Sequence, residues 1–195
     1  MSDSSTSTPS RPSGRPQSID PDSVARIALA LFDRHGYDQV SMAQIAEASG
    51  IGRKSLYRYF SSKADLVWGG SLEAISASEA ALKVEQQAGH GLIESLRNAT
   101  LVALRSLPDL EVARGRMRLI ANQPDLLSQA SLRMAEDRER TMHHFMEGGM
   151  SKEQAEYLTI AFGALLFTAC VRWAQSSAPD PEPFLTRALQ VLQVP

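Results

Sequence analysis

Residues 49 to 63, SGIGRKSLYRYFSSK, set Arg53, Lys54, Arg58 and Lys63 among Tyr57, Tyr59 and Phe60, with no acidic residue between them. Cations at that density attract phosphate, and Arg, Lys and Ser can donate to the edges of bases in a groove. Tyrosine hydroxyls suit phosphate oxygens, which fix register without reading sequence. The chain as a whole holds 20 Lys+Arg against 22 Asp+Glu, a formal net charge of −2. That excludes a uniformly basic nucleic-acid binder, so the stretch is a local patch. A basic helix face is more often merely solvated. Here the missing acids and the frame around the stretch favour contact with DNA.

That frame is built from short helices. Asp20 as N-cap, Pro21 at the first helical position and Ile19 stapled on Val24 start a helix. Val24, Ile27, Ala28, Leu31 and Phe32 recur at helical spacing, and Gly36 stops it. Ser41 and Gln44 form a capping box for a second helix, with Val40 able to pack on Ile45. Gly50 turns the chain into a third helix, on which Leu56 and Phe60 face inward. Two short helices across a tight glycine turn are a helix-turn-helix, whose second helix enters the major groove. Arg53, Lys54 and Ser55 then lie in the first turn, which reaches base edges, while Tyr57 and Tyr59 reach phosphates. A fourth helix starts at Ser62, with Asp65 in capping-box position, and is expected to run on through LVWGGSLEAISASEAALK. Lys63 stands in its first turn, where the macrodipole disfavours a cation. A phosphate docked there would reverse the preference.

The rest of the 195 residues reads as helical throughout, punctuated by Gly89, Gly91, Pro108, Pro124, Gly148, Gly149 and the prolines 179, 181 and 183. No stretch alternates as a strand does. Residues 1 to 18 are Ser, Thr, Pro and Arg with almost nothing apolar, which predicts a flexible arm. Within it Arg11 and Gly14-Arg15-Pro16 have the form of a minor-groove hook. A single cysteine, Cys170, allows no intrachain disulfide and fits a reducing cytoplasm. The N-terminus has no secretory apolar region, and the apolar run Leu158 to Val171 suits a buried helix better than a membrane span. The expectation is a soluble cytoplasmic all-α protein that engages no membrane and needs no cofactor.

ALALFDRHGYDQVSMAQIAEASGIGRKSLYRYFSSKADL closely resembles the TetR family of bacterial transcriptional regulators, over roughly a quarter of the chain. The resemblance implies a homodimeric, usually repressing, binder of double-stranded operator DNA with a C-terminal helical domain that holds a small effector. It carries DNA contacts to Ser41, Met42, Arg53, Lys54, Ser55, Tyr57, Tyr59 and Lys63. Gly52 falls where many members have a polar residue, so one contact is missing. RYFSSKADLVWG, RMRLIANQPDLLSQASLRMAEDRE and ALLFTACVRW further resemble members of the mycofactocin-regulator type, which suggests acyl-CoA thioesters as effectors. The expected division is an arm over 1–17, a helix-turn-helix head over 18–78 with its motif at about 41–60, and an effector-binding and dimerisation body over 79–195.

In the body, EYLTIAFGALLFTACVRWAQ is apolar nearly all round. With Ala161, Ala164 and Ala169 allowing close approach, it and PEPFLTRALQVL are expected to build a four-helix dimer interface. Met117, Leu119, Ile120, Leu126, Leu127, Leu132, Met134, Met142, Phe145 and Met146 are candidates for a pocket wall or for plain core. Arg114, Arg116, Arg118 and Arg133 could meet an anionic ligand, with surface charge the simpler reading. An enzyme is the competing class: His143 and His144 with Glu139 and Glu147 give His/Glu pairs at metal-bundle spacing. Matching pairs on other helices are missing, as are a Gly-rich phosphate loop and the usual hydrolase motifs. A DNA-binding architectural protein without an effector is the other alternative.

Overall fold

The start signals in the first third of the chain are helix caps in the structure, a computed structural model that describes residues 20–69 and 72–193. Asp20 accepts from the Asp22 amide and Pro21 opens α1 (Pro21–His35), which ends at Gly36 with φ 84°. A side chain would be strained there, so glycine ends the helix. Ser41 Oγ accepts from the Gln44 amide at 3.3 Å and Gln44 Oε1 accepts from the Ser41 amide at 2.8 Å, closing the capping box of α2 (Met42–Ala48). Gly50, with φ 65°, makes the turn into α3 (Arg53–Tyr59). Ser62 caps α4 (Lys63–Trp68), but its box is only half formed. The Asp65 carboxylate turns instead to Ser61 Oγ and to Arg133, 2.6 Å away.

The long fourth helix expected from the sequence is two helices. Gly69 is extended, with ψ 175°, and donates to the Asp65 carbonyl, so α4 stops at Trp68 and α5 (Leu72–Gln87) begins afresh. Glycine inside a helix costs about 1 kcal/mol against alanine, and Gly69-Gly70 doubles that cost. The division expected at residue 78 falls inside α5. The body continues with α6 (Leu92–Arg105), α7 (Leu110–Asn122), α8 (Pro124–Ser128), α9 (Ala130–Arg133), α10 (Ala135–Glu147), α11 (Lys152–Gln175) and α12 (Glu182–Gln190), closed by a 3-10 turn at Val191–Gln193. Among the described residues the chain is all-α, without a strand.

Two apolar cores hold these helices. Ala28, Phe32, Ile45, Leu56, Phe60 and Leu66 fill the head, and the same cluster continues into Val112 and Ile120 of α7 and Leu126 of α8. Leu82, Leu96, Ala99, Phe145 and Ala155 form a second cluster among α5, α6, α10 and α11. The head therefore has no closed core of its own; α7 completes it.

The seam between α1 and α7 depends on one missing side chain. A Cβ on Gly115 would stand 3.0 Å from Leu29 Cδ1, so glycine lets α1 lie against α7. Ion pairs flank that contact: Asp22 with Arg116 at 3.1 Å, and Arg26 with Asp109, which also caps α7. The Arg26 hydrogen bond and the Val112 amide hold Asp109 below the usual carboxylate range. Burial opposes the same effect at Asp65, but Ser61 and Arg133 win and lower it too. Both folded values lie below the unfolded ones. The stability they add is therefore present above about pH 4 and lost as pH falls through the lowered values.

By length and composition α11 could cross a membrane, with a mean hydropathy of 1.5 over its most apolar window. In the structure it packs on α7, α10 and α12 and leaves one long face open. Gly115→Val is expected to lower the thermal midpoint, since an overpacked site costs about 1–3 kcal/mol. Combining it with Leu29→Ala should recover part of the loss in the same melting experiment. An unchanged midpoint for the single variant would mean that α1 does not need this close approach.

Candidate nucleic-acid interface and adjoining cavity

Leu56, fully buried, and Phe60, 7% exposed, fix the inward side of α3. Its other positions are thereby turned out: Arg53, Lys54, Tyr57, Arg58 and Tyr59 are exposed and Ser55 is half-buried. Arg58 lies over the Tyr59 ring, 5.2 Å from its centroid. Among the described residues none of Arg53, Lys54 and Arg58 forms an ion pair. Their charge is free for an outside anion. Gly52 caps α3 without a side-chain hydrogen bond, so nothing covers the first amides of that helix.

Three of the expected contact residues stand differently from the sequence reading. Met42 is 8% exposed and belongs to the head core, so its thioether has no part in an outer surface. Ser41 is exposed, but its hydroxyl is 2.8 Å from Gln44 Oε1 and engaged in the capping box. Lys63 is half-buried, and its ammonium donates to the Tyr37 carbonyl at 2.6 Å and sits 4.4 Å from the centre of the Tyr37 ring. The fourth helix begins with a lysine because the turn after α1 presents a carbonyl and a ring face to it. Tyr37 is held in turn against Phe32, with ring centroids 5.0 Å apart. An ammonium has three donors, so Lys63 can still reach a phosphate, but it already has a structural task. The arm with Arg11 and Arg15 lies outside the described residues.

Behind the head, at its seam with the body, is a cavity of about 310 Å³. Trp68 of α4, Met117 and Ile120 of α7, Phe167 and Trp173 of α11 and Leu185 of α12 are among its walls. Trp68 and Phe167 stack, with planes 13° apart. Cys170 also lines it, and burial pushes that thiol up to about 11, which keeps it a neutral apolar wall group. Of the ten apolar candidates for a pocket, Met117, Ile120 and Met134 line this cavity. Leu126 and Phe145 are core, while Leu132 is 78% exposed.

Of the two sequence-based readings of Arg116, surface charge is excluded and an anionic-ligand contact stays open. The residue is 7% exposed and lines the cavity. Val112, Arg116 and Ile120 follow at four-residue steps and are all buried, so a charge in register with an apolar stripe was the available signal. The neighbouring arginines are also committed within the chain. Arg114 lies over the Trp173 ring and donates to the Ala178 carbonyl, and Arg118 donates to the Ala174 carbonyl at 3.0 Å. Among the described residues no group of three His, Cys, Asp or Glu could hold a metal ion, His143 and His144 included.

Residues 26–67 match the model of the bacterial regulatory proteins, tetR family. The chain is 34% identical over 116 residues to the Mycobacterium tuberculosis regulator of mycofactocin biosynthesis, MftR, covering 58% of this chain and 57% of that protein. It is 32% identical over 149 residues to the transcriptional regulator TcmR of Streptomyces glaucescens, covering 70% and 63%. The matches thus span less than two thirds of either relative. Among solved structures, that of Thermus thermophilus FadR, a TetR-family transcriptional repressor in complex with lauroyl-CoA, has the same fold. The TM-score is 0.56 at 17% identity, over 89% of this chain and 93% of that one.

Lys63→Ala is expected to destabilise the free protein by about 1 kcal/mol, from the lost hydrogen bond to Tyr37 and the lost contact with its ring. Denaturant unfolding checks this, with Lys54→Ala as the comparison that should leave the midpoint unchanged. Equal midpoints for the two variants would show that the Tyr37 contact carries no stability.

Proposed function

We propose that this TetR-family transcriptional regulator is a ligand-released repressor that binds a palindromic operator as a homodimer in the bacterial cytoplasm. The single observation that carries the reading is the position of the cavity. Its walls come from α1 and α4 of the head and from α7, α11 and α12 of the body, so a guest touches both. A ligand loosens a protein from DNA only if it binds the DNA-incompetent arrangement better. A guest between head and body has the contacts to do so. The head over 18–78, following an arm over 1–17, would read DNA, and the body over 79–195 would bind the effector and the second subunit.

Arg53, Lys54 and Ser55, in the first turn of α3, are assigned to base edges, and Tyr57 and Tyr59 to phosphates. Lys63 adds a phosphate contact at the start of α4, and Ser41 marks one at the start of α2 made by the neighbouring amides rather than by its hydroxyl. Met42 contributes through the core behind them. The open face of α11 supports the dimer: Tyr157 is 65% and Ile160 51% exposed, and Ala164 and Thr168 continue the stripe at helical spacing. Ala169, in contrast, is buried within its own subunit. An unpaired apolar stripe on a helix this long is best covered by the same stripe of a second copy. The effector is small and hydrophobic. An acyl-CoA is the first to try, given the lauroyl-CoA of the FadR complex and an apolar wall containing Met117 and Met134.

The test begins with selection of genomic fragments on the purified protein, which yields the operator. Ile160→Glu with Ala164→Glu should then sediment as a monomer and lose at least tenfold in operator affinity. A monomeric wild type, free and on DNA, would overturn the dimer. Tyr57→Phe should weaken binding alike on all sequences, whereas Arg53→Ala or Lys54→Ala should relax discrimination at particular base pairs by about 1–3 kcal/mol. Acyl-CoAs of increasing chain length, titrated into the complex, should lower operator affinity about 5–150-fold if the coupling has the usual size. Unchanged affinity at saturation removes them as effectors.

A further inference from the structure

The cavity at the seam has polar requirements that its own residues leave unmet. Arg116 Nη1 donates to Asp22 at 3.1 Å, but Arg116 Nε and Nη2 have no partner, and neither do Trp68 Nε1 and Trp173 Nε1. All four are buried donors, and all three residues line the same cavity. Buried donors left without acceptors are costly and few in folded proteins. The Nε–Nη2 edge is also the side of a guanidinium that receives both oxygens of a carboxylate in parallel. The other charges at the wall are spoken for: Asp109 by Arg26, Arg133 by Asp65 and Asp137 by Arg140. Arg116 alone is half used. At about 310 Å³ the cavity has ample room for a medium-chain carboxylic acid.

We propose that the effector is a compact apolar carboxylic acid, its carboxylate held by the Nε–Nη2 edge of Arg116 and its body lying against Trp68, Phe167 and Trp173. The inference rests on the ligand-released reading above and narrows it, from a small hydrophobic effector to one that ends in a carboxylate. It also gives the switch its physical form. Asp22 is the second residue of α1 and already shares this guanidinium. An arriving carboxylate sets a second anion beside Asp22 and competes for the same cation, weakening the ion pair that ties the start of the head to α7. The ligand thus acts on α1 directly, by exchange of a charge partner across the seam.

Trp68 and Trp173 are the two tryptophans of the chain and both line this cavity, so selectively excited tryptophan fluorescence reports on it. Octanoate should change it saturably, and octanol, of the same chain length without the charge, should bind at least tenfold more weakly. Arg116→Gln should lose octanoate binding by at least tenfold while retaining the octanol response. Asp22→Asn, which frees Arg116, should bind octanoate severalfold more tightly and serves also if Arg116→Gln does not fold. In the operator complex, octanoate should release the wild type and have a smaller effect on Asp22→Asn, whose seam is already loosened. Octanol binding as well as octanoate would overturn the carboxylate assignment. So would an Asp22→Asn affinity for octanoate that is unchanged or reduced. Octanoate binding that leaves the operator affinity of the wild type unchanged would overturn the charge exchange. Absence of any operator binding would instead overturn the regulator reading, and the fluorescence arms separate the two.

Discussion

The close approach of α1 to α7 is the constraint on which the remaining architecture depends. Gly115 eases it, since a Cβ there would stand 3.0 Å from a Leu29 methyl, and the ion pairs of Asp22 and Arg26 hold the two helices in register. Helix α2 packs on α1 and α3 packs on α2, so whatever orients α1 orients the basic face of α3 through α2. The body does more than carry the head. By supplying Val112, Ile120 and Leu126 to its core, it makes the head's orientation a property of the whole chain. Interiors packed at this density do not deform smoothly.

Cations divide into two populations around that joint. Arg26, Arg114, Arg116, Arg118 and Arg133 are all engaged by carboxylates or carbonyls of the chain, and each ties its helix to a distant part of the sequence. Arg53, Lys54 and Arg58 have no such partner and lie on a helix whose inner side is fixed by Leu56 and Phe60. Lys63 belongs to both populations, donating to the Tyr37 carbonyl while it stands at the edge of the basic face. A chain of net charge −2 can thus present a locally basic surface without losing charge from its internal joints.

The all-α class and the helix-turn-helix head were legible in the sequence because local rules set them. Capping boxes, glycine stops and the i, i+4 placing of Leu56 and Phe60 act within a few residues and survive into the fold unchanged. The stop at Gly69 follows the same rules, but the apolar pattern continues on either side of it and masks it in the sequence. The open face of α11 was half legible. Its composition called for burial on several sides, but nothing local distinguished Ala169, which packs inside the subunit, from Ala164, which does not.

Tertiary structure alone decided the rest. That Lys63 meets Tyr37, that Arg116 meets Asp22 and that Asp65 meets Arg133 are pairings across 26, 94 and 68 residues of chain. No local pattern encodes a partner at that separation. A charged side chain in the middle of a helix looks the same in sequence whether it ends in water or against a carboxylate from another helix. The cavity is a property of the same kind, since it is the space left where α1, α4, α7, α11 and α12 fail to fill one another. The sequence by itself determined which helices form and which face of α3 turns outward, because those follow from short-range periodicity and capping. Which cation is free, which is buried and where an acceptor is lacking followed only from helices distant in the chain being brought side by side, because burial and charge pairing are set by neighbours in space.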